Sequence, residues 1–118
     1  MTIGAIVWGV KDVKQSADFW AQALNYVPVY EPSEDWAMLK PRSGSGVTLS
    51  LNRVTSDKAR RHHMDLYSTT AKEDIQRLLA LGATRAEWNY HPGENYVVLK
   101  DPEGNPFCII PIENGEEK

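Results

Sequence analysis

The sequence predicts an α+β fold built from two βαβββ modules, and three observations carry that prediction. The apolar pattern switches from a strand period to a helix period and back, twice, in the same order. The two halves echo each other: Trp36-Ala37-Met38-Leu39-Lys40 falls on Tyr96-Val97-Val98-Leu99-Lys100 at an offset of 60 residues, which also places Gly44 on Gly104 and Thr48 on Cys108. A chain of 118 residues suits one domain. Each half would leave its sheet half covered, so the halves should pair to close a core.

Ile3 to Val10 is short, apolar and rich in β-branched residues, and reads as a buried strand. From Val13 the period changes. Ala17, Trp20, Ala21 and Leu24 repeat at helical spacing, with Phe19 and Ala23 widening the stripe and Asp12 or Ser16 as the cap. Val27 to Glu31 is a short extended piece with Pro28 near its start and Pro32 just after its end, and Asp35 to Lys40 is a strand. Pro41 to Gly46 is a turn by composition. Val47 to Val54 alternates, with Val47, Leu49 and Leu51 inward and Thr48, Ser50 and Asn52 on the other face.

The second half repeats the order. His63 to Tyr67 reads as a strand and Ala71 to Leu81 as a helix ended by Gly82. Thr84 to Tyr90 is extended, Tyr96 to Lys100 is a strand, Asp101 to Asn105 is a turn and Phe107 to Ile112 is the last strand. The module boundaries fall at about 3–54 and 62–112, with a polar linker over 55–61 and a polar tail over 113–118.

The charge balance of −3 lacks the basic surplus of a nucleic-acid surface, and Arg60-Arg61 with His62-His63 reads as a solvated loop. With one cysteine, Cys108, neither an internal disulfide nor a cysteine-rich zinc site can form. The N-terminal residues lack a basic, apolar leader pattern, and no apolar run approaches the ~20 residues of a membrane span. These features point to a cytoplasmic protein with no membrane or nucleic-acid partner.

Three local motifs carry a resemblance that covers nearly the whole chain. One is Val10-Lys11-Asp12 followed by Ser16-Ala17-Asp18-Phe19-Trp20. The second is Arg61 to Leu66 with Leu78 to Ala83, and the third is Leu99 to Cys108 around Asp101-Pro102-Glu103-Gly104-Asn105. The chain resembles the vicinal-oxygen-chelate superfamily of glyoxalase and bleomycin-resistance folds, and within it the small glyoxalase-like subfamily. The resemblance implies one glyoxalase-like domain over 1–112. Its two modules would form a curled mixed sheet with a concave ligand pocket and helices on the outer face. It also implies a homodimer. The superfamily hosts lyases, isomerases, dioxygenases and antibiotic-binding proteins, so the fold alone names no reaction.

Metal-dependent members of that superfamily use four ligand positions, usually His or Glu. Carried onto this chain, those positions are Ala5, Thr48, His63 and Cys108. Only His63 is a usual ligand. Ala5 has no donor atom and Thr48 is a poor one. The departure argues for a metal-free pocket with no cofactor. A weak divalent site from His63, Asp65 and Cys108 is the disfavoured alternative.

Strand parity places Ala5, Val7, Thr48, Ser50, Asn52, His63, Asp65, Tyr67, Cys108 and Ile110 on the pocket side, with Trp36, Met38 and Tyr96 joining them. Trp88 and Tyr90 lie on a neighbouring strand. Trp8 and Trp20 read as core. A concave face with aromatic walls and a few polar groups suits a small molecule.

Two classes of function remain open at this point. In the first, a binding protein stacks a flat, partly hydrophobic ligand on Trp36, Trp88 or Tyr96, with His63 and Asp65 satisfying its polar edge and Met38, Thr48, Ser50, Asn52 and Cys108 as further ligand-binding residues. In the second, a lyase or isomerase uses His63 to move a proton. There Asp65 orients the imidazole, and Tyr67 or Asn52 donates to the developing oxyanion.

Overall fold

A computed structural model describes residue 3 and residues 5–55 and 64–113. The linker residues 56–61 and the Arg60-Arg61-His62-His63 group lie outside the described residues. The chain divides into two compact units, Met1–Arg60 and Arg61–Lys118.

The first unit runs β1 (Ala5–Val10), α1 (Val13–Leu24), β2 (Tyr26–Pro28), β3 (Trp36–Pro41) and β4 (Thr48–Arg53). Its open sheet has the order β1-β4-β3-β2, with β1 parallel to β4 and the other pairs antiparallel. The second unit runs β5 (Asp65–Ser68), α2 (Ala71–Leu81), β6 (Thr84–Arg85), β7 (Val97–Lys100) and β8 (Pro106–Pro111). Its order, β5-β8-β7-β6, repeats the first, again with one parallel pair. Two mixed sheets and two helices make the α+β fold that the sequence predicts. Neither helix is long and apolar enough to cross a membrane.

Each helix is specified locally. Asp12 caps α1 by accepting from the Gln15 N–H at 3.1 Å, so Asp12 is the cap and Ser16 is instead buried within the helix. In α2 the C-cap is Gly82, at φ 117°, a conformation that strains any side chain. The Ala83 N–H then closes onto the Leu78 carbonyl at 3.0 Å.

The core of the first unit is aromatic. The Trp20 ring meets Trp8 edge-on at 5.8 Å and Phe19 at 5.0 Å, and both tryptophans are fully buried. Ala37, Leu39, Leu49 and Leu51 complete it. The second unit buries Leu78, Leu99, Phe107 and Ile109.

The Asp101–Asn105 turn aligns β7 with β8. Asp101 Oδ1 accepts from the N–H groups of Glu103 at 3.0 Å and Asn105 at 2.8 Å, and Asn105 Nδ2 donates to Oδ2 at 3.2 Å. Both residues are buried, so the carboxylate replaces its water with donors from its own turn.

Several boundaries differ from the sequence reading, each for a physical reason. Ile3 lies outside β1 and is exposed. Val47, expected inward, precedes β4 and is exposed, and its carbonyl accepts from the Tyr26 hydroxyl at 2.7 Å. Pro41 ends β3 opposite Tyr26 rather than starting the turn. Of the extended stretch 84–90, only Thr84–Arg85 pairs in the ladder. The Ala86 N–H still reaches the Val98 carbonyl at 3.1 Å, but beyond it the chain leaves the sheet.

Candidate functional site

In the first unit, one sheet face carries most of the predicted ligand-binding residues. The register sets Ala5 opposite Thr48, Met38 opposite Ser50 and Trp36 opposite Asn52. Side chains two apart on a strand share a face, so Thr48, Ser50, Asn52, Trp36 and Met38 come together as parity predicts.

Their contacts form a chain. The Trp36 indole Nε1 donates to Ser50 Oγ at 3.0 Å, and Ser50 Oγ donates to Asn52 Oδ1 at 3.2 Å. Ser50 is buried, whereas Asn52 is exposed. The Asn52 amide nitrogen therefore remains available at the open end of the network.

The loop before β3 fixes the tryptophan. Ser33 Oγ accepts from the N–H groups of Asp35 at 3.3 Å and Trp36 at 3.1 Å, and the Ser33 N–H donates to the Trp36 carbonyl at 2.9 Å. Tyr30, exposed, sets its ring 5.8 Å from that of Trp36. Beside them opens a depression of about 540 Å³, lined by Asp35, Trp36, Asn52, Arg53 and Thr55. Asp35 and Arg53 pair across it at 3.4 Å, both largely exposed. It therefore offers an aromatic wall, an amide and two opposite charges.

In the second unit, Asp65 stands opposite Cys108, and Cys108 opposite Val98. Burial, then the charge and hydrogen bonding of Asp65, push the Cys108 thiol up. The thiol thus holds its proton and is a poor nucleophile. Asp65 and Tyr67 are both exposed and share one face of β5. His63, the proton-transfer candidate, lies outside the described residues.

Trp88 and Tyr96 do meet. Trp88 Nε1 donates to the Tyr96 hydroxyl at 3.3 Å, and the Tyr90 ring lies 5.5 Å from that of Tyr96. They do so without the strand expected for Trp88 and Tyr90. Instead the Tyr90 hydroxyl accepts the Val98 N–H at 2.8 Å and pins the loop to β7. Hydrogen bonding to the Glu94 carboxylate raises the Tyr96 hydroxyl above the ordinary tyrosine value, partly offset by the Trp88 donation. Trp36 and Met38 belong to the first unit, Trp88, Tyr96 and Cys108 to the second, and each group is built within its own unit.

Tyr30, Asp35, Arg53 and Glu94 were not among the expected site residues. The repeat held a signal for the first: Tyr30 and Trp36 recur sixty residues on as Tyr90 and Tyr96, and both pairs pack ring to ring.

Of the four positions that the superfamily resemblance points to, Ala5 offers a methyl group, Thr48 one hydroxyl and Cys108 a buried thiol, and His63 lies outside the described residues. Among the described residues no three His, Cys, Asp or Glu side chains gather.

Comparison with solved structures returns the same fold. A fosfomycin resistance protein from Listeria monocytogenes superposes with a TM-score of 0.74 at 16% identity, covering 97% of this chain and 95% of its own. A glyoxalase/bleomycin resistance protein/dioxygenase family enzyme from Burkholderia phytofirmans gives a TM-score of 0.71 at 16% identity, over 92% of this chain and 97% of its own. The bleomycin-binding protein of Streptomyces verticillus, complexed with copper(II)-bleomycin, gives 0.64 at 17% identity, over 96% and 98%. No curated protein matches the sequence. The glyoxalase-like domain model matches residues 5–110, nearly the whole of both βαβββ units, and the chain belongs to that family.

Proposed function

We propose that this chain is a cytoplasmic small-molecule-binding protein that stacks a planar, partly hydrophobic ligand on Trp36 without a metal. The observation that carries the reading is the Trp36–Ser50–Asn52 network beside Tyr30, at the rim of an open depression. The ring is held before any ligand arrives, which lowers the ordering cost of binding. Asn52, Asp35 and Arg53 supply polar groups for the ligand's edge. Met38 and Thr48 extend the same face. Trp88 and Tyr96, joined by a hydrogen bond, offer a second aromatic surface, and Cys108 is buried in the same unit.

Bleomycin is the first probe, because the Streptomyces verticillus neighbour is a bleomycin-binding protein. Planar heteroaromatic fragments come next. Trp36→Ala is expected to weaken a bound probe about tenfold or more, as loss of a stacked aromatic contact implies. Unchanged affinity overturns the reading. Near-stoichiometric metal in protein purified without chelator would overturn its metal-free part.

A second reading is favoured by the exposed Asp65 and Tyr67 on one face of β5. In it the chain is a lyase or isomerase, His63 moves the proton, Asp65 orients it and Tyr67 donates to the oxyanion. His63→Ala would then abolish turnover and spare binding. A homodimer belongs to either reading, and sedimentation as a monomer at micromolar concentration would exclude it.

A further inference from the structure

The hydrogen bonds that hold Trp36 run in one direction, and that direction sets which ligand edge the depression can receive. The indole Nε1 can only donate, and it donates to Ser50 Oγ at 3.0 Å. The single Ser50 hydroxyl proton then goes to Asn52 Oδ1 at 3.2 Å. This bond turns the amide oxygen toward buried Ser50 and the amide nitrogen away from it, at an exposed residue. Asn52 therefore meets a ligand with N–H donors. Arg53, on the same lining, also only donates. The charged acceptor of that lining, the Asp35 carboxylate, is already engaged by Arg53 at 3.4 Å.

We propose that the depression selects planar ligands bearing a carbonyl oxygen on their rim, and that Asn52 is the residue that selects them. The inference rests on stacking at Trp36 and adds the edge chemistry of the ligand. Its ring lies on Trp36 and its oxygen accepts from Asn52 Nδ2. Trp36 and Asn52 stand opposite each other in the β3–β4 register, about 5 Å apart at Cβ, so one fused bicyclic molecule reaches both. A rim that carries only N–H groups sets donor against donor and leaves both without a partner.

The test compares two fused bicyclic fragments of the same size on the intact chain. 1-Indanone carries a carbonyl oxygen and no N–H, and indole carries an N–H and no carbonyl. The readout is the Trp36 indole N–H resonance of the protein, assigned through Trp36→Phe, and from it the ratio of the two dissociation constants. Asn52→Asp keeps an oxygen for Ser50 and exchanges the amide nitrogen for a second acceptor. It is expected to weaken 1-indanone about tenfold relative to indole. On the native chain, 1-indanone is expected to move the Asn52 side-chain amide protons, and indole to leave them in place. An unchanged ratio in a folded Asn52→Asp protein, with both fragments still shifting Trp36, overturns this inference and leaves the stacking reading standing. No shift of Trp36 by either fragment overturns both. Should the variant fail to fold, the Asn52 amide protons of the native chain decide, and equal movement with the two fragments overturns the proposal.

Discussion

The Trp36 indole N–H donates to the Ser50 hydroxyl at 3.0 Å, diagonally across the β3–β4 ladder. Ser50 is buried and Trp36 half-buried, so this bond fixes the plane of a ring whose free face meets solvent. Tyr30 packs against it at 5.8 Å, and Asn52 ends the chain by accepting from Ser50 through Oδ1.

Ser50→Ala removes the acceptor of the indole and the donor to Asn52 together. The loss is expected to be about 1 kcal/mol, because the indole can still reach water through its exposed edge. Thermal denaturation would show a small drop. The Trp36 emission maximum would shift as the ring loses its fixed environment.

Asp101 is a larger structural commitment. Its carboxylate accepts from Glu103, Asn105 and the Asn105 amide while buried. Asp101→Ala leaves those donors unpaired and is expected to cost about 2–4 kcal/mol. The urea midpoint measures it.

Asp74 gives stability a pH dependence of known sign. Its partial burial opposes ionisation, but the hydroxyls of Ser68 and Thr70 and the Arg77 guanidinium outweigh that and hold its carboxyl below the ordinary value. A depressed folded-state pKa adds stability above the unfolded value of about 3.9, and that stability is lost as pH falls through the folded one. Asp74→Asn should therefore be less stable than the native chain at neutral pH, and the gap should close in acid. A gap that is constant with pH would contradict the assignment.

Cys108 should react slowly with iodoacetamide, since burial and Asp65 hold its proton. Asp65→Asn removes the neighbouring negative charge and should speed alkylation at mildly alkaline pH. A slower reaction would mean that Asp65 does not face the thiol.

The fold was legible because its signals are local and repeated. The helical stripe of α1, its Asp12 cap, Gly82 and the Asp101 turn each act within a few residues. Strand parity put Trp36, Met38, Thr48, Ser50 and Asn52 on one face correctly, since the period of two leaves no other choice. Val47 failed because parity says nothing about where a strand begins, and the Tyr26 hydroxyl takes its carbonyl instead. Trp88 and Tyr90 carry aromatic residues that favour strands, yet the chain leaves the ladder after Arg85. Tyr90 supplies the missing bond through its side chain.

Central to this account is Trp36 as the ligand-stacking residue. The most direct measurement is an NMR screen of planar heteroaromatic fragments, read at the four tryptophan indole resonances. Fragments should shift the Trp36 indole, and Trp36→Ala should abolish their binding while leaving the rest of the spectrum in place. Fragments that bind while the Trp36 resonance stays still, with affinity unchanged in Trp36→Ala, would contradict it.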